Sequence, residues 1–375
     1  MCPKKSEADA ELYMTAGHTK DVHRLRFVSL SVSVWGAEKT LLTLASHIRL
    51  ESPDTILELL APAGELTEAW QAMQLGEIKL LHEKYSKMTS KKDLLWSQVT
   101  LTRMLARLPA AAATHSHHQW SHLPTALVAK KSILDLHDFV PTKAGRVIQA
   151  LAARFATLTF VASETIRLTL PRNLRAAPVT LGRPVDVLAV RSRRLPVGQR
   201  SMTIVIVCRP DVNKNLREPL VNLLGGMGSS DFVIVAGGVS SDYGLDDLGA
   251  TYGSQLRFLG RIQPGEMETV WSRASVHLLT SEAEPFGRVV IEAASHGVPS
   301  VVHAGAGVAE AVARHGAGNV VENWAGLAQI CSRVVESAPA MQTNLSELVQ
   351  EFSPTRVARE YLGPVLTLLN QGRSK

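Results

Sequence analysis

Two glutamates eight residues apart, Glu284 and Glu292, bracket the turn Pro285-Phe286-Gly287 and a helix predicted to begin near Arg288. Apolar Val276, Leu278 and Leu279 read as a strand before the turn, Gly297 and Pro299 stop the helix, and Ser300–His303 starts another strand. A strand that passes through a glycine turn into a helix aims free N–H groups and the positive helix end at one point, which suits a phosphate. The two carboxylates do not form a hydrolase pair. Eight residues of helix span about 12 Å, whereas a retaining double displacement needs roughly 5 Å.

A second anion site is read at Arg209-Pro210-Asp211-Val212-Asn213-Lys214, directly after the apolar run Met202–Cys208. An arginine at a strand end and a lysine five residues on can converge on one diphosphate, the first through a planar fork, the second as a point charge. A third strand–turn–helix unit runs from the predicted strand Leu25–Val34 through Trp35-Gly36 into a helix carrying Leu41, Leu42, Leu44, Ala45 and Ile48. Thr114-His115-Ser116-His117-His118 offers imidazoles at metal-binding spacing, but no carboxylate or cysteine stands beside it in sequence, and the expectation is no metal. His137-Asp138 closes a strand, Ser132–Leu136, where a side chain opens onto a cleft.

The string Glu-Pro-Phe-Gly-Arg-Val-Val-Ile-Glu-Ala, followed by Gly-Val-Pro, resembles the E-x7-E signature of GT-B retaining glycosyltransferases, the glycogen synthase-like family 4. The resemblance runs over roughly residues 25–370 and is strongest in the second half. It implies an α/β protein of two Rossmann-like, doubly wound parallel-sheet domains facing across a cleft.

The elements needed to hold these residues follow the same outline. Predicted strands at Thr55–Leu60, Thr157–Ala162 and Val179–Asp186 complete a first βα series, and Asp231–Ala236, Gln255–Leu259 and Ser275–Leu279 belong to a second. Residues 1–22 read as a loose tail. The basic, aperiodic stretch 187–200 reads as a linker between two domains, and the resemblance implies that residues 23–190 bind the acceptor and 200–350 the donor. The resemblance implies that the last helix, 354–370, packs back on the first domain. Lys84, Lys87, Lys91, Lys92, Arg103 and Arg107, interleaved with leucines, could form a basic amphipathic helix on an anionic membrane; an ordinary surface helix is the preferred reading.

Length suits two domains, and 45% apolar residues suit a globular chain. No apolar run approaches the ~20 residues of a membrane span, and the N-terminus lacks a signal-peptide core, so a cytoplasmic location is expected. The three cysteines are widely spaced, arguing against a disulfide framework or zinc site. The net charge of +6 does not choose among partners; nucleic acid is not expected, and the oligomeric state is open.

What the resemblance implies can be put residue by residue. Arg209, Lys214 and the helix start at Arg288-Val289 would hold the donor diphosphate, Glu292 the ribose, Glu284 with the Phe286-Gly287 backbone the donor sugar, and Gly260-Arg261 the base. Gly36 would approach the diphosphate by its backbone, although Trp35 stands where the family often has glycine, and Cys208 likewise replaces a glycine. His137 would face the donor sugar, while Trp35, His117, His137 and Asp138 would line the acceptor side. His137, Arg209, Lys214 and Glu284 are the implied catalytic set, acting on a nucleotide-sugar donor with retention and without metal or other cofactor. An inactive binding partner of the same fold and a nucleotide-sugar epimerase are the alternatives. A dinucleotide oxidoreductase is disfavoured because no Gly-x-Gly-x-x-Gly follows the first strand.

Overall fold

A computed structural model of the chain describes residues 23–87, 90–174, 176–185, 201–210 and 214–370. The tail 1–22 and the linker stretch 187–200 lie outside the described residues, as do Asp211, Val212 and Asn213. The first sheet contains β1 (Arg24–Val28), β2 (Ile56–Pro62), β3 (Glu77–Leu81), β4 (Ala113–Ser116), β5 (Ser132–Leu136), β6 (Leu158–Val161) and β7 (Val179–Thr180). Its helices are α1 (Gly36–Glu51), α2 (Glu65–Ala72), α3 (Lys91–Arg107), α4 (His122–Val128), α5 (Lys143–Phe155) and α6 (Glu164–Arg167).

The second sheet contains β8 (Thr203–Val207), β9 (Phe232–Ala236), β10 (Leu256–Phe258), β11 (Val276–Leu279), β12 (Ser300–His303) and β13 (Gly318–Val321). Around it lie α7 (Arg217–Leu224), α8 (Asp246–Thr251), α9 (Met267–Arg273), α10 (Arg288–Ser295), α11 (Ala309–His315) and α12 (Leu327–Ser337). Two helices close the chain, α13 (Gln342–Glu351) and α14 (Pro354–Asn370).

Both sheets are parallel, in the orders β3-β2-β1-β4-β5-β6-β7 and β10-β9-β8-β11-β12-β13. The strand order reverses direction between β1 and β4 and between β8 and β11. The crossover loops part at each reversal and open a crevice at the strands' carboxyl ends. The fold class read from the sequence therefore stands: two doubly wound α/β domains.

Parallel sheets must be covered on both faces. In the first domain α1, α2 and α14 cover one face, where Phe27, Trp70, Tyr361 and Val365 share a core. On the other face, Leu101 and Leu105 of α3 pack over Val28, Leu30 and Leu60. The α14 stripe Val357, Ala358, Tyr361, Leu362 and Val365 recurs at helical spacing and is buried against the first domain. Each large apolar side chain in it contributes about 1.5–3 kcal/mol. The chain thus returns to its first domain after building the second.

That return crosses the segment that follows β7. Val185 N–H donates to the Phe352 carbonyl at 3.0 Å, and a Cβ on Gly182 would lie 2.5 Å from the Phe352 ring. Phe286 packs edge-on against Phe352, with ring centroids 5.0 Å apart.

Three sequence expectations are corrected. The first strand ends at Val28, not Val34. Val32 and Val34 are β-branched and invite a strand, but residues 29–35 leave the sheet toward α1, and the Val32 carbonyl accepts Leu66 N–H at 3.1 Å. Gly64 permits this approach, since a Cβ there would sit 2.7 Å from that carbonyl. The exit strand is only Val179–Thr180. Finally, β3 and β13, which are short edge strands, and helix α13 were not anticipated.

Candidate active site

The turn from β11 to α10 is built as its residues suggest. Gly287 caps α10 at φ +105°, a conformation open to glycine, and a Cβ there would press on Val308 and Leu279 at 3.0 and 3.1 Å. Gly305 and Gly307 let a second loop close on the first: a Cβ on either would lie 2.1–2.2 Å from the Glu282 or Pro285 carbonyl. Gly307 N–H donates to the Glu284 carbonyl at 2.8 Å. The first amides of α10 therefore stand in a fixed loop, ready to meet an anion.

Lys214 and Glu284 come together: Nζ is 2.6 Å from Oε2, and both side chains are largely buried. The Lys214 carbonyl is held by Thr280 Oγ1 at 2.7 Å. Asn215, at φ +38°, turns the chain so that its amide reaches Glu282, which also accepts from Trp324 Nε1. Glu292 is half-buried on α10, and its carboxylate is not hydrogen-bonded or ion-paired among the described residues.

Trp35, 48% exposed at the start of α1, faces the second domain. The Arg209 and Arg261 guanidiniums lie 5.7 and 5.8 Å from its ring centroid, at cation–π range. Arg288 crosses the cleft as well, donating to Thr40 Oγ1 at 2.8 Å and to the Pro184 carbonyl at 2.5 Å. Ser163 Oγ donates to the Pro285 carbonyl at 2.6 Å. Gly36 lies open in front of this group, with Arg288 Cδ 3.7 Å from where its Cβ would be. Gly260, at φ +68°, ties strand ends together: its carbonyl accepts Gly237 N–H at 2.8 Å. Val289 is half-buried beside Phe286, whose ring is core rather than cleft lining. Burial pushes the Cys208 thiol up to about 11, so it is a neutral packing group.

On the opposite wall stands a buried ionic cluster. The Asp135 carboxylate takes both arms of Arg183, at 3.0 and 2.6 Å. Its Oδ2 lies 3.1 Å from His117 Nδ1, 3.9 Å from His115 Nε2 and 4.0 Å from His137 Nδ1. The far nitrogens are also placed: His115 Nδ1 meets Tyr361 OH at 2.8 Å, His117 Nε2 meets the Ala37 carbonyl at 2.9 Å, and His137 Nε2 lies 3.5 Å from Asp138. The His117 and His137 rings meet at a tilt of 35°, with centroids 4.6 Å apart.

Burial pushes the Asp135 carboxyl up, but Arg183 and His117 outweigh it and hold its pKa well below the usual range. Burial lowers His115 to about 3, and burial with His117 nearby holds His137 well below 6.5, so both rings are neutral.

This cluster corrects one expectation. A carboxylate does stand beside the histidine run, supplied by β5. His115, His117 and Asp135 offer three ligand atoms within 4.8 Å of one another, and these residues could hold a divalent cation. The guanidinium of Arg183 competes for the same carboxylate. Asp135, Arg183, Thr40 and Ser163 were not singled out from the sequence. An acid inside the apolar strand Ser-Ile-Leu-Asp-Leu was the available signal for the first of them.

Comparison with known proteins agrees with this architecture. Residues 223–347 match the family model "Glycosyl transferases group 1", a stretch that includes both Glu284 and Glu292. None of the curated proteins compared with the chain matches it. Among solved structures, HepE from Anabaena in complex with UDP and glucose is 17% identical, with 92% of this chain and 100% of that one covered and a TM-score of 0.72. Sucrose-phosphate synthase from Thermosynechococcus elongatus is 15% identical, with 93% and 100% covered and a TM-score of 0.76. A glycosyltransferase from Rickettsia africae is 15% identical, with 94% and 100% covered and a TM-score of 0.74. The fold is that of GT-B glycosyltransferase structures.

Proposed function

We propose that this chain is a glycosyltransferase that moves a sugar, with retention, from a nucleoside-diphosphate sugar to an acceptor held on the first domain. The observation that carries the reading is the Lys214–Glu284 pair set at the turn that leads into α10. The family-model match over the same stretch supports it, as does the likeness to a structure that holds UDP and glucose.

In this reading the diphosphate lies on the α10 amides, with Arg209 and Lys214 taking the charge that grows on the leaving oxygens as the C1–oxygen bond breaks. These groups are fixed before reaction, so they stabilise that charge without reorganising. Glu284, already held by Lys214, accepts from donor-sugar hydroxyls, and Glu292 accepts from the ribose. His137, neutral and nearly buried, lines the sugar side, with Asp138 and Trp35 nearer the acceptor. Two domains closing on the donor exclude water and suppress hydrolysis. No metal is required, because the diphosphate charge is met by Arg209, Lys214 and the helix end.

A thermal-shift screen of UDP, GDP, ADP, dTDP and CDP, with and without EDTA, tests the reading. A nucleotide at a hundredfold its dissociation constant stabilises the native state by about 2.7 kcal/mol. One nucleotide should respond, unaffected by EDTA. No response to any would remove the donor site, and a response abolished by EDTA would bring back the His115–His117–Asp135 cluster as a metal candidate.

A second reading has one observation in its favour: Trp35 engages Arg209 and Arg261, the cations a donor needs. A chain that binds nucleotide without turning over its sugar would show a thermal shift but no released nucleoside diphosphate.

A further inference from the structure

We propose that the α3–α4–α5 layer of the first domain docks on an anionic lipid bilayer. The reversal of strand order at β1/β4 puts these three helices on one face of the sheet, away from α1, α2 and α14, with α4 packed between the other two. Their outer side carries Leu95 and Val99 of α3, Leu127 of α4, and Val147, Leu151 and Phe155 of α5, all between 41% and 66% exposed. The spacing is four residues on α3 and four plus four on α5, so each set forms a stripe along its helix. The inner face of α5 is filled by small or polar side chains, Gly145, Gln149, Ala152 and Ala153. Val147, Leu151 and Phe155 are therefore on the wrong side for a core. Monomers rarely expose apolar side chains in such a group without a use for them.

The charges around the stripes are nearly all of one sign: the one acid on α3, α4 and α5 is Asp93, at the start of α3 and 3.6 Å from Lys84 Nζ. Lys92, Arg103, Lys130, Lys143, Arg146 and Arg154 are exposed and are not paired with a carboxylate among the described residues. Arg146 and Arg154 donate to backbone carbonyls, which leave their charge uncompensated. From Gln119 to Ser163 the only acids are Asp135, buried on Arg183, and Asp138, at the cleft. The asymmetry extends to the whole domain. Residues 23–185 hold 20 Lys and Arg against 12 Asp and Glu, net +8, while residues 201–370 hold 11 against 17, net −6.

One partner uses both features. A bilayer with acidic headgroups accepts leucine, valine and phenylalanine at the acyl boundary and meets the surrounding cations with phosphate. A nucleic acid would satisfy the cations but leave the apolar stripes in water. A second copy applied face to face would bring six cations against six. The preferred sequence reading placed an ordinary surface helix at 84–107; the structure shifts attention to α5, which is acid-free along its length. Because α4 and α5 start from loops at the carboxyl ends of β4 and β5, a docked chain holds its crevice beside the headgroups.

Co-sedimentation of the full chain with vesicles tests this without reference to glycosyl transfer. Phosphatidylcholine alone is compared with phosphatidylcholine plus phosphatidylglycerol. The chain should sediment with the anionic vesicles only, and less so at high salt. Leu151→Glu/Phe155→Glu and Lys143→Gln/Arg154→Gln should each weaken binding by about tenfold or more, while Val221→Glu, on exposed α7, should not change it. The Gln variant keeps the apolar stripe and so guards against loss of fold in the Glu variant; a thermal melt confirms both. Failure of the wild type to bind, or unchanged binding by both variants, would overturn the proposal. So would lipid-free dimerisation abolished by the same substitutions, which would assign the face to a second copy.

Discussion

Asp135→Asn is the substitution that most directly tests how the first-domain wall is held. The change keeps the side-chain shape and removes one charge. Arg183, whose side chain is 4% exposed, then loses both strong acceptors and has no other carboxylate within ion-pair distance among the described residues. Breaking one partner of a buried pair costs about 3–5 kcal/mol, because the remaining charge stays desolvated. A folding unit of this domain's size loses ~2–4 °C of melting temperature per kcal/mol. Calorimetry should therefore show the first-domain transition falling by roughly 6–20 °C on those figures. The paired replacement Asp135→Leu/Arg183→Met removes both charges and should recover most of the loss, since apolar substitutes for a buried pair are often neutral or better. A fall below about 1 kcal/mol in the single variant would refute the reasoning, and so would a double variant whose cost is the sum of its parts.

Arg209→Ala and Lys214→Met should each weaken binding of the responding nucleoside diphosphate by ~10–150-fold, the range of a charge-assisted hydrogen bond at about 1.5–3 kcal/mol; unchanged titration calorimetry would remove either from the diphosphate. Glu292→Ala should weaken nucleotide binding while leaving the melting temperature of the free chain close to wild type, and equal affinity would deny it the ribose. Trp35→Gly should tighten binding by roughly 5–30-fold, because Arg209 and Arg261 no longer trade cation–π contacts of about 0.5–1 kcal/mol each for the phosphate and the base; weaker binding would make Trp35 part of the donor site instead. His277 is buried in β11 with Nδ1 on Ser300 Oγ, and burial lowers its pKa to about 3. Its unfolded form takes a proton below 6.5 that the fold refuses, so stability falls as pH drops through 6.5. Its share of the loss between pH 7 and pH 5 should be about 2 kcal/mol, added to that of the other buried histidines, and His277→Gln should reduce the slope by that share in denaturant titrations; an unchanged slope would show that the ring takes its proton inside the fold.

Most of the second domain was legible because its punctuation is local. Pro285, Gly287, Gly297 and Pro299 each mark a boundary that one residue's backbone preferences decide, and α10 spans Arg288–Ser295 between them. The reading failed where the deciding information was long-range. Val32 and Val34 have strand propensity, yet the close approach of Gly64 takes them out of the sheet. The histidine run lacked a carboxylate in sequence, but the parallel register that pairs Thr114 with Ser132 and Ser116 with Leu134 continues to set His117 beside Asp135. Both lie at strand ends on one side of the sheet, and only register can reveal that.

The groups that would bind a donor are also the groups that hold the domains in their present relation. Away from the crevice, the crossing is apolar: Phe286, Phe352 and Val185 lie in one buried cluster spanning both sheets. At the crevice it is polar and includes Arg288 to Thr40, Ser163 to the Pro285 carbonyl, and Trp35 against two arginines. An apolar pivot with a polar mouth suits a hinge, because packed side chains tolerate small rotations while hydrogen bonds at the mouth can be exchanged for ligand. Every polar crossing just named touches the loop Pro285–Arg288 or a cation assigned to the diphosphate. On the proposed function, a donor seated there would compete with Trp35 for Arg209 and border the residue that bonds to Thr40. Donor binding and domain spacing would then be one equilibrium, and the donor's differential affinity for the two spacings would set how far it shifts.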